Sequence, residues 1–484
     1  MEAFVKQVST YSVRINGYSR IFEATARLYR NAVDFFIVVC EQEWDTVRTG
    51  ENLKARKSIV EGLSVKTKAN PAPRYRFDEA FYKFPCYLRR AAIAEAIGKV
   101  SSWRSNLANR EAADPRERGR RPGPPTAGRV YPAMYRDNMF VRLDTYTAMI
   151  KAFIRNTWDW VTVKLRKSDA DYISRHCGGM KECVPTLRKR GKRWFLDFAF
   201  EERIDLPETD ASRQKILAVD LGINSACTVC AMDPGGTVFG REFLKLPKEN
   251  DSLKHALGRL KKAQRHGAGH MPRLWAAVNG INDDIAVKTA DFIVKAAVRY
   301  NAGVIVMEHL DTGGKKRGSK KQRLHFWKVK YVQAMVATKA HRALVRVSTV
   351  CAWNTSRLAF DGSGMVLRGR GSAKANGSYS VCEFRSGKVY NCDLNASYNI
   401  GARYFVRALT KPLPATVRQL LEAKVPSAVK RSTCTLSTLI SLNAVLAAYA
   451  AGGLSHGCMV ERKSDPLKGT AGNGGIGSTR LLVV

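Results

Sequence analysis

The chain is poor in negative charge. Against 81 Lys and Arg it carries 42 Asp and Glu, a formal charge of +39 over 484 residues. A compact state with that excess repels itself unless a polyanion neutralises it. A nucleic-acid backbone is the natural counterion, because each phosphate contact also releases condensed cations. Long hydrophobic runs are missing too. The nearest, Leu436 to Ala450, is interrupted by Ser437, Thr438, Ser441 and Asn443 and reads as a half-buried helix rather than a membrane span. No signal peptide or lipidation motif is recognisable, so a membrane surface is the weaker polyanion. Nor do the 11 cysteines form a secretory framework, and a reduced, cytoplasmic setting is expected.

What is present is a globular composition, 45% hydrophobic and 25% charged. The length implies roughly two or three domains. Val5 to Arg14 reads as a strand, followed by apolar residues at helical spacing from Arg20 to Trp44 and a second helix from Leu88 to Leu107. The Pro, Gly and Arg cluster from Ala112 to Arg129 is a loop; it serves either as a solvated linker or as a phosphate contact. Strands return between Met139 and Phe200, which suggests a β domain interrupted by a helical one. A buried strand from Ile216 ends at Asp220. A hairpin follows over Ala226–Met232 and Thr237–Phe243, then helices at Asp251–Arg265 and Ile281–Tyr300, then a buried strand from Val304 that delivers Glu308.

Asp220 and Glu308 each end a buried strand, and Asp393 opens a helix in the segment Asn391-Cys392-Asp393-Leu394-Asn395-Ala396-Ser397-Tyr398-Asn399-Ile400. Strand ends and helix starts gather at one rim of an α/β sheet. Three carboxylates sharing a rim need cations between them, and hard oxygen donors select Mg²⁺, with Mn²⁺ able to substitute. Two such ions, roughly 3.5–4 Å apart, suit phosphodiester hydrolysis. A lone Asp after an apolar strand is usually a cap or turn residue; the order of the three carries the reading.

That order resembles the RuvC nuclease domain of the TnpB family, the nucleases of bacterial insertion sequences, and of the related compact type V CRISPR effectors. The matching pieces are Ala218-Val219-Asp220-Leu221-Gly222-Ile223-Asn224, Ile305-Val306-Met307-Glu308, Asn354-Thr355-Ser356 and the Asp393 segment. Upstream, Phe84-Pro85-Cys86-Tyr87-Leu88-Arg89-Arg90 is similar to a helix start in the family's recognition lobe. Pro185-Thr186-Leu187 with Arg193-Trp194-Phe195-Leu196 is similar to its last wedge strands. The resemblance spans roughly residues 1 to 410. It implies a bilobed, multi-domain α+β protein. A β-barrel-like wedge (1–17 and 129–207) would hold a helical recognition insertion (18–128). An RNase H-like α/β nuclease (208–354 and 391–452) would hold a small target-binding insertion (355–390), with a flexible tail from 453 to 484. It implies an RNA-guided, Mg-dependent DNA endonuclease in a bacterial cytoplasm, nucleoid-associated on DNA and monomeric or homodimeric on its RNA. The target would be double-stranded DNA next to a short protein-read motif, with single-stranded DNA a further substrate. Asp220, Glu308 and Asp393 occupy the metal-ligand positions. A nuclease-silent repressor and a guide-free structure-selective nuclease or transposase are the alternatives; three intact carboxylates disfavour the repressor.

The family's four-cysteine zinc knuckle is not matched. Leu358 to Gly362 holds no cysteine and only Cys382 remains of the second pair, so no structural zinc is expected. Cys227 and Cys230 sit three apart in a strand, on opposite faces, and read as core; His309 reads as structural. The loop Gly313 to Arg323 contains Lys315, Lys316, Arg317, Lys320, Lys321 and Arg323, either a solvated face or a nucleic-acid gate. Tyr75, Arg76, Tyr82, Lys83, Arg89 and Arg90 interleave aromatics with cations, as nucleic-acid stacking requires, although the aromatics equally suit a core. By the resemblance this region helps read the target-flanking motif. Asn399 and Arg403 are candidate nucleic-acid contacts.

Overall fold

In the computed structural model, strand β1 (Phe4–Ile15) pairs along its whole length with β7 (Arg193–Asp205), from Phe4 opposite Asp205 to Ile15 opposite Trp194. The structure describes the chain apart from residues 1–3, 69, 116–117, 208–209, 223–224, 311–327, 373, 375–376 and 452–484, and the side chain of Arg370. Two compact units meet between Asp205 and Leu206.

The first unit is a β framework with helices inserted between its first and later strands. Helices α1 (Ser19–Gln42), α2 (Leu53–Ser64) and α3 (Cys86–Ala112) follow β1. Then come β2 (Phe140–Arg142), β3 (Thr147–Ile154) and β4 (Thr157–Lys164), a three-stranded antiparallel sheet. Helix α4 (Lys167–His176), β5 (Lys181–Glu182) and β6 (Thr186–Arg190) lead into β7, which β5 and β6 both pair. The bridge Ile15–Leu165 joins the two sheets. One hydrophobic cluster runs through strands and helices alike, including Val13, Phe22, Phe36, Leu88, Ile150 and Phe198. The amphipathic stripe of α1 therefore closes onto the sheet rather than onto a separate helical core.

The second unit is a three-layer α/β sandwich. Its sheet runs β10 (Val238–Leu244), β9 (Cys227–Met232), β8 (Ile216–Asp220), β11 (Val304–His309), β12 (Arg346–Cys351). The first three are antiparallel neighbours and the last three are parallel. The β9–β10 turn rests on Gly236 at φ 89°, a value that costs a residue with a side chain. Helices α5 (Pro247–Arg265) and α6 (Pro272–Arg299) come between β10 and β11, and α7 (Val329–Arg342) between β11 and β12. Sequence periodicity places the start of α6 at Ile281, but the helix begins at Pro272. Asn279 and Gly280 blur the pattern, while Leu274, Trp275 and Val278 extend it against Leu253, Leu257 and Leu260 of α5.

The strands β13 (Leu367–Arg368), β14 (Val381–Glu383) and β15 (Val389–Asn391) make a small antiparallel sheet. Helices α8 (Cys392–Thr410), α9 (Ala415–Lys424) and α10 (Leu436–Ala450) complete the unit. The last is half-buried, as its broken apolar run suggests, and a Thr435–Thr438 capping box starts it. No helix among the described residues is long and apolar enough to cross a membrane.

Side-chain alternation divides the second unit's core. Leu217, Val219, Ile305 and Met307 pack under α6 and α7, whereas Ile216, Ala218, Val304 and Val306 pack under α8 and α10. Cys227 belongs to the first cluster and Cys230 to the second, opposite faces of one strand as their odd spacing dictates.

Candidate active site

Strand parity aims two of the carboxylates. Val304 to Met307 lie in parallel register with Ile216 to Val219, so the next step sets Glu308 beside Asp220 at about one strand spacing, ~4.8 Å. Both continue the series Ile216, Ala218 and Val304, Val306, and so face the α8 layer. Helix α8 brings Asp393 in its first turn. Asn391 caps that helix, its side-chain oxygen accepting from the backbone N–H groups of Asp393 (3.0 Å) and Leu394 (2.9 Å). Gly401 lets α8 lie close on the sheet: a Cβ there would meet Met232 Sδ at 3.0 Å and the Ala218 Cβ at 3.3 Å.

Asp220 senses both other carboxylates. Burial, then the charges of Glu308 and Asp393, push the Asp220 carboxyl well above its usual range. Asp220 keeps some solvent access at the sheet rim, yet protein surrounds it closely enough for desolvation to dominate. Burial raises Asp393 as well. Glu308 is 8% exposed and also raised by burial, against the opposing effects of a Thr355 hydrogen bond and the Arg403 charge. No ion pair reaches Asp220 or Asp393 among the described residues.

Carboxylates gathered with only the Arg403 charge near one of them, Glu308, are the chemistry of a hard divalent-ion site, and the donor set of three carboxylates fits one. The arrangement as it stands is looser than a coordination sphere: among the described residues no group of three His, Cys, Asp or Glu side chains is gathered to hold an ion. One oxygen of Glu308 is engaged by the Thr355 hydroxyl. Its backbone carbonyl accepts from Gln333 Nε2 at 2.7 Å.

Residues that the sequence marks as nucleic-acid contacts turn out to build this site from behind. Asn399 is fully buried; its amide donates to the carbonyls of Thr355 (2.9 Å) and Leu358 (2.8 Å) and its oxygen accepts from Leu436 N. Arg403, 5% exposed, donates to the carbonyls of Cys351 (2.6 Å), Trp353 (2.8 Å), Ser432 (3.0 Å) and Cys434 (3.2 Å). Both amide protons of Asn399 and four of the five guanidinium protons of Arg403 are spent on backbone carbonyls, so both serve the fold first, which corrects the expectation that they are chiefly nucleic-acid contacts. Asn395, which sequence reasoning did not single out, holds Phe360 N and Leu358 O. Positions 395, 399 and 403 recur every four residues, one helix face, and together latch the 351–360 segment carrying Thr355. The four-residue recurrence of Asn, Asn and Arg was the available signal.

In the first unit, Phe77 is buried and Phe81 packs against the same core. The Tyr75 hydroxyl lies 2.8 Å from both Gln42 Oε1 and Glu43 Oε1. Arg89 (3.6 Å) and Arg90 (3.2 Å) both pair with Glu61. Arg76 is exposed beside Glu79. Tyr82 is 70% exposed with the Lys83 ammonium 5.1 Å from its ring centre, the one aromatic–cation pair of this group open to solvent. Lys315, Lys316, Arg317, Lys320, Lys321 and Arg323 lie outside the described residues, as does the tail from 453. His309 is exposed at the end of β11.

Where a zinc knuckle would sit, Ala359, Cys382, Phe384 and Cys392 form a small apolar cluster with Phe360 and Tyr390. The Cys382 thiol donates to the Tyr390 carbonyl at 3.4 Å, and its interaction with the neighbouring Cys392 thiol raises the first and, with Arg368, lowers the second.

A family model described as the Aq_aa04 family matches residues 9–154. The uncharacterized protein aq_aa04 of Aquifex aeolicus (strain VF5) is 32% identical over 104 residues, 19% of this chain and 58% of that relative. The chain thus aligns with little more than half the length of the curated relative. Among solved structures, a Cas12f1–sgRNA–target DNA complex aligns at TM-score 0.31 and 12% identity, covering 81% of this chain and 98% of that one. C2c1 of Alicyclobacillus acidoterrestris with single-guide RNA aligns at TM-score 0.37 and 11% identity, covering 79% and 66%. A Cas12i–crRNA–dsDNA complex aligns at TM-score 0.31 and 10% identity, covering 85% and 61%. Such scores are too low to transfer geometry or function. The family match falls in the first unit, and all three carboxylates lie in the second.

Proposed function

We propose that the second unit is an RNase H-like (RuvC-type) nuclease and that the whole chain is an RNA-guided DNA endonuclease. The observation that carries the nuclease reading is the register that sets Asp220 and Glu308 side by side on parallel strands, facing the helix start that bears Asp393. A hairpin followed by parallel strands, with a helix laid over the carboxylate face, is the arrangement this class of nuclease uses. Mg²⁺ ions held between the three carboxylates, or Mn²⁺ in their place, would supply an activated water and stabilise the leaving oxygen of a phosphodiester. The protein's own part is to bury and fix the carboxylates: Asn391 sets the helix start, the Asn395–Asn399–Arg403 face holds the 351–360 segment, and Thr355 orients Glu308.

RNA guidance rests on the sequence resemblance together with the +39 charge, which suits a protein holding a guide–target heteroduplex by its backbone. The wedge and recognition roles of the first unit, and an insertion kept by packing without zinc, belong to the same reading. The alternative is a nuclease-silent protein that binds guided DNA; the Glu308–Thr355 hydrogen bond does not favour it, since it leaves the second carboxylate oxygen open to a metal.

The test is to purify the chain with its RNA, sequence that RNA and offer a matched duplex in Mg²⁺. A discrete RNA species with a variable end and cleavage abolished by Asp220→Ala, with DNA binding kept, are expected. Cutting that survives Asp220→Ala removes the site. Tight binding without cutting leaves the silent reading, and random RNA fragments end the guided one.

A further inference from the structure

A pocket of about 770 Å³ opens beside the edge strand of the second unit. Its floor is Thr349 to Cys351 of β12, and its walls come from α8, α9 and the segment from Ala428 to Cys434. Trp353 stands in the lining and is 70% exposed, the highest exposure of any large apolar side chain among the described residues together with Tyr82. Its backbone is not loose: Arg403 grips the carbonyls of both Trp353 and Cys351 from beneath. An indole fixed at its root and left in water is a surface awaiting a flat partner.

The rest of the lining says which partner. Val350, Val406 and Leu421 make an apolar interior, while Arg407, Lys411, Arg418 and Arg431 face one acidic residue, Glu422. The side chains of Lys411, Arg418 and Arg431 are exposed and make no hydrogen bond or ion pair with any described residue. An apolar slot, an aromatic face and a cationic rim together match a nucleobase with its phosphates, and the volume is that of a small-molecule site. A paired base cannot enter, because its edges and faces are already occupied in the duplex. His309, next in sequence to Glu308, lines the same pocket and so links it to the carboxylate rim.

We propose that this pocket binds an unpaired nucleotide of a single-stranded segment, its base on Trp353 and its phosphates on Lys411, Arg418 and Arg431. The site is independent of catalysis: a chain that binds nucleic acid without cutting it would use the pocket equally.

The experiment measures binding by the full chain, in EDTA so that no cleavage occurs, of labelled ten-residue oligothymidylate, the matching oligouridylate and a blunt DNA duplex. Trp353→Ala should weaken single-strand binding by about tenfold and leave duplex binding within about twofold. Trp353→Phe should restore most of the loss. The Lys411→Glu/Arg418→Glu double variant should weaken single strands and flatten their salt dependence. Whether the deoxy or the ribo strand shows the larger loss identifies the source of the nucleotide. Parental single-strand affinity in Trp353→Ala, or equal losses for single strand and duplex at an unchanged melting temperature, would overturn the proposal. Should Trp353→Ala fold poorly, the charge-reversed pair decides alone by the same comparison.

Discussion

Replacing Arg403 with methionine keeps its length and removes its donors, and the structure sets the cost. Four backbone carbonyls lose a charged partner: Cys351, Trp353, Ser432 and Cys434. Trp353 is exposed, and Cys351 and Ser432 are half-buried, so water can replace the guanidinium there. Cys434 is buried, and water does not readily follow. An unsatisfied buried acceptor costs about 1–3 kcal/mol, which puts the destabilisation at roughly 1–3 kcal/mol. Glu308 also loses a neighbouring positive charge. Against a typical total of about 5–15 kcal/mol, this is a large fraction. Urea unfolding of the full chain, followed by far-ultraviolet circular dichroism, measures it, with the exposed Arg407→Met as the control expected to lose under about 1 kcal/mol. The folded fraction of Arg403→Met should bind duplex DNA as the parent does. A variant as stable as the parent but weakened in DNA binding would show that Arg403 contacts phosphate and that the latch is inconsequential.

The carboxylates make stability depend on pH in a direction opposite to that of salt-bridged acids. Asp220, Glu308 and Asp393 hold their protons more tightly folded than unfolded. Their contribution is therefore fully present below the unfolded values, near 3.8 for Asp220, and is lost as pH rises through the raised folded ones. In EDTA, Asp220→Asn should melt higher than the parent at pH 7–8, with the gap closing toward pH 4; a gap constant with pH would contradict the shift. Mg²⁺ should raise the parent's melting temperature and leave Asp220→Asn nearly unmoved. Thr355→Val removes the donor to buried Glu308 and should cost about 1–2 kcal/mol in urea unfolding. At Gly401, Ala should be near neutral, since helix propensity offsets a tight Met232 contact, whereas Leu should cost about 1–3 kcal/mol and slow cleavage. Equal effects of the two would mean that α8 does not need its close approach.

Much of this protein was legible from residues alone because it rests on local periodicity. Strand parity separates Cys227 from Cys230 and turns Asp220 of β8 and Glu308 of β11 to the same face, all consequences of a two-residue repeat. The broken apolar run of Leu436–Ala450 announces a half-buried helix, and the α1 stripe announces its buried face. The charge excess is a property of composition and needs no fold.

What only the tertiary structure decided is where polar side chains find partners. Asn399 and Arg403, polar residues beside a proposed catalytic motif, read as ligands for nucleic acid. Folding places them against backbone carbonyls 41 to 52 positions away in the chain, at Thr355, Leu358, Cys351 and Trp353. A helix face bearing Asn, Asn and Arg looks the same in sequence whether it meets a phosphate or a loop. The sheet decides, because Gly401 admits α8 so closely that buried carbonyls must be satisfied by whatever donors the helix offers. The same packing leaves Trp353, an apolar residue by composition, standing in water at the mouth of a cationic pocket. Local sequence determined which strands and helices form and how the carboxylates are aimed; long-range burial determined which polar residues hold the structure and which remain free to bind.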